Sequence, residues 1–168
     1  MRFFILFLCG WLLISLPGSS QPAEVLKAEE IVKLIPDYIK GYSLDGEAKA
    51  KLMALGTIRY SLTEKNFASG NKKIKVLLFD YKEASIMYNQ ATRKFNTFTP
   101  VETDSLILRS LTLTNCSGWE SYNAQSKSSQ ILLGICDRFF LTVNGTNVPL
   151  EVLKQVVSNN IKFEDFPK

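Results

Sequence analysis

The chain has 168 residues, of which 46% are hydrophobic and 21% charged, with a formal net charge of +4. Those values describe one globular domain with enough apolar residues for a core, and they exclude a disordered segment. Lysine and glutamate are scattered rather than blocked, which excludes a nucleic-acid footprint, because tracking phosphates needs basic residues gathered on one face.

The first twenty residues are expected to be a signal peptide. Arg2 gives a minimal positive start, Phe3 to Leu16 is nearly unbroken apolar sequence, and Pro17-Gly18-Ser19-Ser20 ends it with small residues. Cleavage is expected after Ser20, which lowers the net charge by the one unit of Arg2. The apolar run falls short of the roughly 20 residues a spanning helix needs, so no stable membrane anchor is expected. Cys9 follows Leu6-Phe7-Leu8, too bulky for a lipoprotein cleavage site. The expected product is a single soluble domain, residues 21–168, exported to a periplasmic or extracellular space.

From Ala23 to Ile35 the apolar residues Val25, Leu26, Ile31, Val32, Leu34 and Ile35 recur at mixed spacing with Lys and Glu between them, as in an amphipathic helix stopped by Pro36. The stretch Leu44 to Leu55 is ambiguous, since Glu47 to Met53 favours a helix but Gly46 and Gly56 bracket it. Thr57 to Phe67 alternates as a half-buried strand, Ser69-Gly70-Asn71 turns the chain, and Ile74 to Tyr81 returns as the second arm of a hairpin. Ile74, Val76 and Leu78 share one face of that arm; Lys75, Leu77 and Phe79 share the other. The period then changes, because Ala84, Met87, Tyr88, Ala91 and Phe95 follow helical spacing and predict a helix over Glu83 to Asn96. After a break at Phe98-Thr99-Pro100, Asp104 to Thr114 alternates again.

The most strand-like region is Ser117 to Asn144, which reads as three successive antiparallel strands. Its turns are expected at Lys127-Ser128 and, without the usual glycine, at Asp137-Arg138. Gly145-Thr146-Asn147 turns once more, and Pro149 opens a last amphipathic helix carrying Leu150, Leu153, Val156 and Val157. The order predicts an α+β fold, an antiparallel sheet of about five or six strands with helices packed on one face.

This layout is similar to small exported α+β domains such as the extrinsic photosystem protein P family. It also resembles uncharacterised exported bacterial proteins in which an early L-I-P element, an F-D-Y strand end before a helix and a G-W-E strand recur. Here these are Leu34-Ile35-Pro36, Phe79-Asp80-Tyr81 and Gly118-Trp119-Glu120. The resemblance covers most of residues 30–166, and it implies a fold and a compartment but no activity.

The chain contains no histidine. That removes the usual general base, the Ser-His-Asp triad and the commonest metal ligand together. Asp80, Glu83, Glu102, Asp104, Glu120 and Asp137 are candidate acids, yet their spacing does not place a pair across a substrate. Asp80 and Glu83 read as helix-start charges, and Glu120 as the cross-strand partner of a Lys or Arg. No catalytic, cofactor-binding or metal-binding residue is assigned: there is no phosphate-binding glycine motif, no Asp-rich calcium loop and no zinc ligand set.

Cys116 and Cys136 form the candidate disulfide. Export favours oxidation, but a turn at Lys127-Ser128 sets Trp119 opposite Cys136 and leaves Cys116 on the other face, so a bulge at Ser117-Gly118 is needed to restore the parity. The alternative is two buried thiols behaving as small apolar groups. Asn115 and Asn144 match glycosylation acceptors, although Asn144-Gly145 also reads as an ordinary turn. The aromatic residues, including Tyr60, Tyr81, Tyr88, Trp119 and Phe139, fall at core periodicity. The function this predicts is an exported binding or interaction domain for a protein or small ligand, neither nucleic acid nor membrane. The alternative is a carboxylate-dependent envelope hydrolase acting on glycans.

Overall fold

The structure, a computed structural model, describes residues 24–97, 99–114 and 116–168. The predicted leader therefore lies outside the described residues, as do Phe98 and Asn115. Nine strands form one antiparallel sheet: β1 (Ser43–Leu44), β2 (Lys49–Leu55), β3 (Ile58–Ser69), β4 (Lys72–Glu83), β5 (Val101–Glu102), β6 (Leu106–Leu113), β7 (Cys116–Asn123), β8 (Ser128–Ile135) and β9 (Phe139–Thr146). The helices are α1 (Ala28–Ile31), α2 (Ser85–Thr92) and α3 (Leu150–Asn160), and short 3-10 turns extend α1 and α2.

The expected sheet of five or six strands with helices on one face is therefore corrected on both counts. Residues 47 to 53 have helix-favouring side chains, but Gly56 at φ 61° turns the chain back on itself, and Lys49 to Leu55 pairs residue by residue with Glu64 to Ile58. Strand pairing here overrides a weak local propensity. The first predicted helix shrinks to α1 and one 3-10 turn.

The strand order is β1-β3-β4-β9-β8-β7-β6-β5, with β2 following β1 along the outer edge of β3. After β4 the chain crosses by α2 to the far edge, then returns strand by strand until β9 lies beside β4. Residues 117–144 are the meander of β7, β8 and β9 that the sequence predicts, but the turns move. The first is Ala124 to Lys127, since Asn123 pairs with Ser128. The second is Cys136-Asp137, both left-handed at φ 53° and 49°, closed by Arg138 N–H donating to Ile135 O at 3.1 Å. It has the left-handed pair of a mirror-image hairpin turn, which glycine or asparagine usually supplies.

One face of the sheet carries Ile74, Val76 and Leu78 of β4, Leu141 and Val143 of β9, and Ile131 and Leu133 of β8, and it packs against Ile31 of α1 and Leu153 and Val157 of α3. Lys65 also points into this face. Its ammonium donates to Ile35 O and Asp37 Oδ1, both at 2.6 Å, which fixes the loop around Pro36. The opposite face carries Phe79, Tyr81 and Phe140, covered by Ala84, Met87 and Tyr88 from the α2 region. Helices thus lie on both faces because β4 is apolar on both. Gly118 sits where a Cβ would meet Leu132 O at 1.8 Å, so its glycine is a steric requirement.

Candidate functional site

The predicted acids fall in three ion-paired sets, Asp80 with Arg138, Glu83 with Arg59, and Glu102 and Glu120 with Arg109, and two exposed positions. Asp80 and Glu83 do not start a helix; they end β4. Asp80 is fully buried and accepts from Arg138 Nε at 2.8 Å and Nη2 at 2.7 Å, and from the Leu26 and Lys82 amides at 2.8 and 3.0 Å. Glu83 accepts the Val25 amide at 3.2 Å. Together they hold residues 25 and 26 against the sheet through backbone groups, which no side-chain periodicity announces.

Glu120 meets Arg109 across the strands as expected, with Nε 2.5 Å from Oε1. Lys154 of α3 lies 3.0 Å from its other oxygen, an ionic contact without hydrogen-bond alignment. Glu102 and Glu151 approach the same guanidinium at 3.4 and 3.5 Å. This group pins α3 over β6 and β7, with two cations countering three carboxylates. The guanidinium stays charged, its pKa raised by the Glu120 hydrogen bond. Asp104 and Asp137 are exposed.

Cys116 is buried and Cys136 exposed, and both are free thiols. The register runs unbroken through Ser117↔Gly134 and Gly118↔Leu133, so the expected bulge at Ser117-Gly118 is absent and the candidate disulfide is not formed. Both thiols line a cavity of about 380 Å³ with Phe163 and Phe166. Burial pushes the Cys116 thiol up to about 11. Tyr81, Tyr88, Trp119 and Phe139 are buried, in keeping with their core periodicity. Asn144 lies within β9, its side-chain oxygen accepting from Gln130 Nε2 at 2.7 Å.

A hollow that no periodicity reveals lies at one end of the sheet. The row Lys73↔Thr146↔Ser128 brings the β3–β4 tip, the β7–β8 loop and the β9–α3 connection side by side. Asn147 staples them: its amide N–H donates to Lys127 O at 2.8 Å, and its side-chain nitrogen donates to Asn71 O at 2.9 Å. Gly70, Lys127 and Asn147 are all left-handed, at φ 59°, 48° and 57°. Below them, Ser129 Oγ donates to Val148 O at 2.8 Å in the core.

The result is a basin of about 370 Å³ with Lys72, Lys127, Asn71 and Asn147 supplying its polar groups. Tyr122, Ala124, Val148 and Pro149 complete its lining, and none of these residues is acidic. Each turn was visible in sequence as glycine, asparagine or a polar run. Their meeting was not, because it depends on the β4–β9 pairing.

A second exposed surface is the outer edge of β2. Leu55 is 71% exposed and Leu52 47%, and no strand pairs with that edge among the described residues. Among the described residues, no helix is long and apolar enough to cross a membrane. Compared with known proteins, the chain matches no family model, no curated protein and no solved structure.

Proposed function

We propose that the chain is an exported binding domain that takes a small polar ligand in the basin at the loop end of its sheet. The observation that carries this reading is the construction of the basin. Three turns from distant parts of the chain are stapled together by one asparagine, with two non-glycine residues held left-handed at the rim. Such backbone costs stability, persists only where the surrounding structure over-determines it, and recurs at ligand sites. Loops fixed on a rigid sheet are also where binding groups concentrate. A volume of about 370 Å³ lies at the small end of the range for ligand pockets.

The export half of the reading rests on the apolar leader. Expression of the full chain followed by intact-mass measurement is expected to give a product beginning at Gln21; a product that keeps Met1 would remove the placement. The binding half is tested on that same product, labelled with nitrogen-15, by adding a hydrolysate of the host's own surface polysaccharides. Amide shifts confined to residues 70–73, 122–128 and 146–149 are expected. Shifts confined to the β2 edge, or none at all, would overturn the basin as the site.

A further inference from the structure

Resting on that binding reading, we propose that the basin recognises its ligand through an anionic group, a carboxylate or phosphate carried on a molecule of about monosaccharide size. The charge of the lining decides the class. Lys72 and Lys127 come from different hairpin tips, both exposed, and neither belongs to an ion pair among the described residues. No carboxylate lines the basin to offset them.

Two other cavities differ on this point. The one that holds the thiols sets Glu164 beside Lys168, and the one near Pro36 sets Asp165 beside Lys33 and Lys162. A hollow with two uncompensated cations raises the local concentration of anions.

The remaining groups fit a polyhydroxylated carrier. Asn71 and Asn147 bring amides, which donate to and accept from hydroxyls. Asn147 has committed one amide hydrogen to Asn71 O, and this bond together with its contact to Lys127 O fixes the spacing of the two lysine-bearing tips before any ligand arrives. Tyr122 adds an apolar ring with a polar tip at the wall. Lysines this exposed give weak contacts individually, so the expected dissociation constant is on the order of a millimolar.

The test uses the full-chain product labelled with nitrogen-15 and three probes at matched sodium concentration: glucuronate, glucose and inorganic phosphate. Glucuronate is expected to shift the amides of Asn71, Lys72, Lys127 and Asn147 saturably, and glucose to leave them in place. Lys72→Gln and Lys127→Gln are each expected to weaken glucuronate roughly fivefold, and added salt to weaken it further. Lys40→Gln, at a different cavity, is expected to change nothing.

Phosphate binding as well as glucuronate supports the anionic group and assigns it to a simple oxyanion. Binding of glucuronate alone supports a sugar acid. Glucose binding as tightly in the basin, indifferent to both lysine variants, would overturn the anionic inference and leave the binding domain standing. Anion shifts that never saturate and follow every exposed lysine, or no shift with any probe, would overturn it as well.

Discussion

Asp80 and Arg138 are a fully buried ion pair, and buried pairs are stable only while both partners remain. Each carboxylate oxygen accepts from the guanidinium and from a backbone amide. Asp80→Asn keeps the shape but leaves a guanidinium without its counter-charge, and it is expected to cost about 3 to 5 kcal/mol in denaturant unfolding. An unchanged midpoint would show that water reaches the pair. Cys116 gives a pH signature of known sign. Its folded pKa is raised from the ordinary 9.0 to about 11 by burial, so the unfolded chain loses the thiol proton first. The stability this contributes is complete below about pH 9 and is lost as pH rises towards about 11. Tyr81 and Tyr88, raised to about 12 by burial, act in the same direction at still higher pH. Cys116→Ala is therefore expected to flatten the fall in melting temperature between about pH 9 and 11. An equal fall in both proteins would mean that Cys116 ionises freely in the folded state.

At the scale of elements, the sequence was informative wherever one face decided the outcome. β4 alternates in burial as its sequence predicts and α3 buries the Leu150, Leu153 and Val157 stripe of its spacing, whereas β3 buries Ser61, Thr63, Lys65 and Phe67 and leaves its Ile58, Tyr60 and Leu62 face only half-buried. β2 was not legible, because Lys-Ala-Lys-Leu-Met-Ala-Leu lies almost wholly exposed on an edge and has no buried face to impose a period. The β7–β8 register was misread by a turn placed too late, and with it the relation between Cys116 and Cys136. Gly118 is the residue that reports this register most sharply. Gly118→Ala drives a methyl into Leu132 O, and β7 must shift away from β8 to admit it. The expected loss is about 2 kcal/mol or more by thermal unfolding. A neutral outcome would mean that the two strands are not this close.

For the whole molecule, the missing step was topology rather than local structure. A sheet of nine strands with helices on both faces follows from β9 returning to lie against β4, a pairing between segments more than fifty residues apart for which neither strand alone gives a cue. The basin is a by-product of the same pairing. Turns at Asn71, Lys127 and Asn147 become neighbours only after the meander has closed onto the first hairpin. Lys65 and Arg138 were hidden for a related reason. Each is a buried charged residue, Lys65 within β3 and Arg138 at the β8–β9 turn, tolerated because loop carbonyls and a carboxylate from distant sequence meet it there.

Arg138 does one thing more. Its guanidinium donates to Glu24 O at 3.0 Å and to Lys168 O at 3.4 Å, so the first and last described residues share one side chain. A circular permutant that joins Lys168 to Glu24 through a few glycines, and is opened at the exposed Gly56-Thr57 tip, is expected to reach the same sheet. Its melting temperature should lie within a few degrees of the parent, because joining ends already in register adds little closure entropy. Failure to fold would mean that β2 must be tethered to β3 before the meander can close, which would make the order of synthesis part of the folding code.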